Sequence, residues 1–225
     1  MEGLTDYILQ LLISVPSVLI ALTFHEFAHG FIAYKLGDPT AKYMGRLSLN
    51  PLKHLDPIGT ICMIFARFGW ARPVPIDTRN FKNPKRDMAL TALAGPVSNL
   101  LLGFVGCFIY TLTLKLLPPF YEESFGYYLA VAWVSFIFNF AWLNISLAIF
   151  NLIPFPPLDG SKILFSFLPN EYYYRILSKE RVIGLVFMFI LLADSRFLGG
   201  YITSGLSFLV DGVFDGFTSF FNLFI

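Results

Sequence analysis

Three stretches of this chain are longer and more apolar than a water-soluble core can use. Residues 7–34, 88–117 and 127–153 hold between them Glu26 and Lys115 as their charged residues. As a helix the first would run about 42 Å at about 1.5 Å per residue. That exceeds a hydrocarbon core of about 30 Å. A fourth stretch, 182–193, is short. It is followed by Asp194 and Arg196 and then by a second mostly apolar run over 197–225, so this end reads as one span plus a further membrane helix. Composition agrees: 56% of the 225 residues are hydrophobic and 14% are charged, against about 45–50% and about 25% in ordinary soluble domains. The expected fold is an all-α polytopic membrane protein, a single domain over 1–225. It would be a bundle of about 5–6 membrane helices with a small β-containing, membrane-associated segment after the first span. Its C-terminal membrane helices would lie at about 182–225.

The composition also excludes alternatives. A disordered chain is poor in apolar residues. A net charge of +1 offers no general attraction for nucleic acid. Cys62 and Cys107 stand apart in apolar runs, which gives neither a disulfide framework nor a cysteine zinc cluster.

The placement of charge orients the chain. Ten of the sixteen Lys and Arg lie in 35–86, whose acids are Asp38, Asp56 and Asp77, and 159–181 adds Lys162, Arg175, Lys179 and Arg181. Residues 118–126 carry Glu122 and Glu123 and no base. By the positive-inside rule 35–86 and 159–181 face the cytoplasm, and residues 1–6 and 118–126 face outward. Residues 1–6 carry Glu2 and Asp6 rather than a basic leader, which argues against a cleaved signal peptide. Within 35–86, residues 41–49 end in alternation and read as a strand. Its free edge could take up an extended peptide by β-augmentation. Residues 58–69 are apolar but too short to span, and suit a dipping helix or an interfacial strand.

One cluster of ionisable residues lies inside the first span. His25-Glu26-Phe27-Ala28-His29 has two histidines four apart, on one helical face, where two imidazoles converge on one metal. Glu26 is then placed to take a proton from a metal-bound water. With three His and six Glu in 225 residues, chance produces this pattern roughly once in a thousand such chains. His25 stands ten residues before Lys35, about 15 Å inside the helix end. A charge at that depth costs roughly 2.5–3.5 kcal/mol, so packing histidines with an incidental acid are the poorer reading.

A catalytic zinc needs a third protein ligand and an open position. No Glu lies between Glu26 and Glu122, and Ile32 and Lys35 stand where the extended soluble motif needs Gly and His. His54, Asp56 and Asp159 remain as candidates. Asp159 fits best: it follows Asn151-Leu-Ile-Pro-Phe-Pro-Pro-Leu, at the cytoplasmic end of the third span, where prolines break the helix. The alternative is a carboxylate capping the next helix. Gly95, Asn99 and Gly103 form a small-residue face of the second span suited to packing on the first, from which Asn99 can hydrogen-bond into the site. His54 is read either as a contact to substrate or ligand, or as a residue held by its own loop.

HEFAH in an early span with NLIPFPPLDG after a later one resembles the site-2 protease family of intramembrane zinc metalloproteases, in its compact prokaryotic form without PDZ domains. GRLSLNPLKHLDPIG at 45–59, GWARPVP at 69–75 and AGPVSN at 94–99 are similar to further motifs of that family. The likeness covers about residues 15–165. It implies one zinc held by His25, His29 and Asp159, Glu26 as general base, and Asn151 near the substrate or transition state. It implies a membrane-protein or membrane-peptide substrate and a multi-pass protein of a prokaryotic cell membrane, its active site toward the cytoplasm. Oligomeric state is not legible. The rival functions are a membrane metal-ion transporter, which has no use for a Glu between paired histidines, and an inactive scaffold, which would have lost one of these residues.

Overall fold

The computed structural model describes residues 2–66, 70–118, 124–197 and 200–225. The described residues form α1 (Glu2–Lys35), α2 (Thr40–Tyr43), α3 (Pro57–Ala66), α4 (Pro84–Leu116), α5 (Phe125–Leu152), α6 (Asp159–Phe165), α7 (Asn170–Leu177), α8 (Glu180–Phe197) and α9 (Tyr201–Asn222). Short 3-10 turns stand at Pro51–Lys53 and Thr78–Asn80. The chain is an all-α membrane protein.

α1, α4 and α5 form the centre, with α4 packed against both others and α9 laid along the outer side of α4 and α5. Cys107, Ala141, Ile145, Val210, Phe214 and Phe221 make the buried apolar cluster of that outer seam. Elsewhere the long helices carry exposed Leu12, Ile20, Leu101, Val105, Leu129 and Val131, the surface expected of helices solvated by lipid. α4 begins at Pro84, a residue suited to a first helical turn. α5 stops at Leu152 because Pro154 cannot continue it.

Two expectations need correction. Among the described residues three helices, Gln10–Lys35, Pro84–Leu116 and Phe125–Leu152, are long and apolar enough to cross a membrane, and the count of about 5–6 is not supported. Among the described residues the apolar stretch of α8 is Val182–Leu191, about 15 Å of helix. α9 carries Asp211 and Asp215 on an exposed face, and Asp211 accepts a bond from Trp142 Nε1 at 2.9 Å. Nor is there a β segment: among the described residues no strand forms, and Leu55 and Ala71 make an isolated antiparallel bridge. Residues 41–49 instead finish the turn of α2. Gly45 takes φ +65°, and the amides of Arg46 and Leu47 both turn back to Ala41 O at 2.8 and 3.2 Å. The short alternation was outweighed by a glycine that reverses the chain. Of the two readings of 58–69, helix or strand, residues 58–66 are helical. Arg67 and the acidic pair Glu122 and Glu123 lie outside the described residues.

Beyond the end of α1, Asp38 ties the connecting segment together. Fully buried, it accepts bonds from Thr40 N at 3.1 Å, the Thr40 hydroxyl, Asn80 Nδ2 at 2.7 Å and Asp77 N at 2.8 Å. Burial alone would raise its pKa; these donors outweigh it and hold Asp38 below its ordinary 3.8. A depressed folded pKa stabilises the fold above the unfolded value and ceases to do so as pH falls through the folded one. Thermal unfolding in detergent should therefore show a drop in stability below about pH 4. Asp38→Asn should cost about 1–3 kcal/mol at neutral pH and flatten that acid limb. An acid limb as steep as in the unchanged protein would contradict this.

Candidate metal centre

His25 and His29 project from one face of α1 toward α4 and are both nearly buried, at 6% and 7% exposed. Asp159 opens α6, where the chain re-enters a helix after the Pro154–Pro157 turn, and is 7% exposed. The three meet: His25 Nε2 to His29 Nε2 is 3.0 Å, and each Nε2 is 3.2 Å from Asp159 Oδ2. A tetrahedral ion with N and O ligands at about 2.0–2.1 Å sets its ligand atoms about 3.3–3.4 Å apart. The triangle is smaller than that by about 0.1–0.4 Å on a side. Among the described residues this is the one group of His, Cys, Asp and Glu placed to hold a metal.

The hydrogen bonds around the triangle fix the ring tautomers. His29 Nδ1 lies 2.7 Å from Thr91 O, which can only accept, so Nδ1 carries the proton and Nε2 a lone pair. His25 Nδ1 lies 2.6 Å from Asn99 Oδ1. Asn99 is oriented by its own amide, which donates to Ala21 O at 3.1 Å and to Asn144 Oδ1 at 2.9 Å. Asn144 in turn donates to Phe140 O at 2.8 Å. Two carbonyls at the ends of this chain therefore set both amides, and His25 also presents a lone pair. Two imidazole lone pairs and a carboxylate converging within 3.2 Å repel one another unless a cation lies between them. The donor set fits zinc.

Gly95 makes room for the pair. A Cβ there would lie 2.4 Å from His29 Nε2 and 2.6 Å from His25 Cε1. The small-residue face of α4 thus divides: Gly95 and Asn99 face α1, while Gly103 packs against Ile145 of α5.

Glu26 lies beside these ligands in the chain. Its Oε2 accepts the N–H of Val74 at 2.7 Å, a contact that no sequence pattern announces because the donor is backbone. The remaining candidates do different things. His54 is 1% exposed and bonds Ser48 O of its own loop through Nε2 at 2.7 Å, while its Nδ1 is buried without a hydrogen-bond partner among the described residues. Asp56 accepts Gly59 N at 2.8 Å at the start of α3. Asn151 donates to Leu147 O, one turn back on α5, at 2.9 Å. None of the three joins the triangle.

Residues 14–193 match peptidase family M50. The chain belongs to that family, the site-2 proteases. The chain is similar to "Putative zinc metalloprotease YwhC" of Bacillus subtilis (strain 168), 40% identical over 84% of this chain and 82% of that protein. It is also similar to "Putative zinc metalloprotease Rip2" of Mycolicibacterium smegmatis, 30% identical over 83% of this chain and 69% of that protein. "Putative zinc metalloprotease MJ0611" of Methanocaldococcus jannaschii is 32% identical over 70% and 71%. No solved structure matches the chain. The M50 chain is a membrane-associated metallopeptidase with zinc as its cofactor, and His25, His29 and Asp159 form a possible triad for the ion.

Proposed function

We propose that this M50 protein is a multi-pass intramembrane endopeptidase that cuts membrane-spanning or signal-peptide-like substrates, with Glu26 as its proton carrier. The observation behind this is the triangle of lone pairs in the lipid-facing bundle, with a carboxylate on the next residue of the same helix. Zinc held by His25, His29 and Asp159 would lower the pKa of water to about 7 and polarise a carbonyl. Glu26 takes the proton of the attacking water and delivers it to the leaving amine. Asn99 and Thr91 O keep both imidazoles turned inward throughout. The whole of 1–225 serves as one protease domain.

The charge asymmetry supports an outward N-terminus and a site opening toward the cytoplasm of a prokaryotic cell. A substrate helix must unwind before its amide can be attacked, since that amide is otherwise bonded within the helix. Metal analysis tests this reading. The purified protein should hold about one zinc per chain. Asp159→Ala should lose both the zinc and the cleavage of a membrane-spanning reporter peptide. Protein without stoichiometric zinc would end the proposal.

A further inference from the structure

The segment 70–77 crosses the face of α1 that carries Glu26. Pro73 and Pro75 confine Arg72 and Val74 to extended backbone. Val74 itself is 6% exposed, and its Cγ1 would stand 3.2 Å from a Cβ on Gly30, one turn beyond Glu26. In the run Pro73-Val74-Pro75, Val74 alone owns an N–H. A shift of register by one residue in either direction would offer Glu26 no donor.

The peptide unit between Pro73 and Val74 is held at both ends. Its N–H reaches Glu26 Oε2 at 2.7 Å. Its carbonyl, Pro73 O, accepts Arg46 Nη2 at 3.3 Å, and the same nitrogen donates to Arg72 O at 2.6 Å. Arg46 is 8% exposed. The peptide dipole therefore lies between a buried cation at its oxygen and a carboxylate at its hydrogen, an arrangement in which each bond strengthens the other. The flanks are anchored independently, Arg72 N on His54 O at 2.8 Å and Asp77 N on Asp38 at 2.8 Å.

We infer that the Val74 N–H is a positioning group for the catalytic carboxylate, pinning Glu26 by Oε2 so that Oε1 handles the proton. Arg46 acts through that peptide to hold it. The inference rests on the proposed role of Glu26 as proton carrier. It gives His54 and Asp38 a shared purpose as well: each fixes one end of the segment that carries the donor.

The test compares Val74→Pro with Val74→Ala, which gives up similar packing but keeps the N–H. Each is purified in detergent, its zinc content measured, and kcat and KM determined on a membrane-spanning reporter peptide. Val74→Pro should turn over about 10–100-fold more slowly than Val74→Ala, with KM and zinc content alike in the two. Equal kcat values overturn the inference. If Val74→Pro does not retain zinc, Arg46→Met and Arg46→Lys decide. A lowered kcat in Arg46→Met at full zinc, recovered at least about threefold by the Lys donor, supports it. Equal kcat in those two overturns it. Cleavage at the normal rate in Glu26→Gln would remove the underlying role of Glu26. Cleavage lost in Glu26→Gln but equal in the two Val74 variants would remove this inference alone.

Discussion

Glu26→Gln should slow peptide cleavage by about 10²–10⁴-fold, the range that general acid–base groups supply, while zinc stays near one per chain. The glutamine keeps the size of the side chain, and its amide oxygen can still accept the Val74 N–H seen at 2.7 Å. It can neither take nor return a proton. The metal triangle does not include Glu26, so its 3.0 and 3.2 Å edges are left as they are. The measurement is zinc per chain beside the initial rate on a membrane-spanning peptide. It also separates the rival functions, since transport of metal or service as a scaffold would survive the change. Full activity in the variant would remove Glu26 from the chemistry.

Gly95→Ala is expected to weaken zinc binding by at least about 100-fold, beyond the 10–100-fold typical of losing a ligand's outer partner. The new methyl would lie 2.4 Å from His29 Nε2, the ligand atom itself. The ring cannot swing aside cheaply, because its Nδ1 is tied to Thr91 O at 2.7 Å. His25 has no more freedom, held by Asn99 at 2.6 Å. Gly103→Ala is the informative partner. Its methyl would meet Ile145 Cγ1 at 2.7 Å, a contact between α4 and α5 away from the ligands. That variant should lose thermal stability and keep its zinc. Zinc titration of both, with thermal unfolding in detergent, checks the contrast, and intact zinc affinity in Gly95→Ala would refute it.

Helical periodicity and proline chemistry made much of this molecule readable from its residues. A spacing of four brought His25 and His29 together because 3.6 residues per turn leaves no other outcome inside a span. The long apolar runs at 7–34, 88–117 and 127–153 became α1, α4 and α5 with ends shifted by a few residues. Asp159 could be suspected, since the prolines before it forbid a continued helix. Other parts depend on contacts that leave no local trace. The alternation at 41–49 spans too few residues to outvote Gly45. The apolar run at the C-terminal end suggested spans, and among the described residues neither α8 nor α9 is among the helices long and apolar enough to make one. His54, a plausible ligand by type, bonds Ser48 O through Nε2 and lies outside the triangle. The Val74 amide has no side-chain signature, because every residue but proline owns one.

The ligand atoms come from distant parts of the chain: the imidazoles from α1, and the carboxylate from α6, more than a hundred residues later. A nascent polypeptide stopped before Asp159 has two of the three metal donors, and before Asn144 it lacks the brace that orients Asn99. On the proposed function, the centre would therefore stay incomplete through most of synthesis. It would be completed when the third long helix is in place and the turn after it brings Asp159 to the two imidazoles.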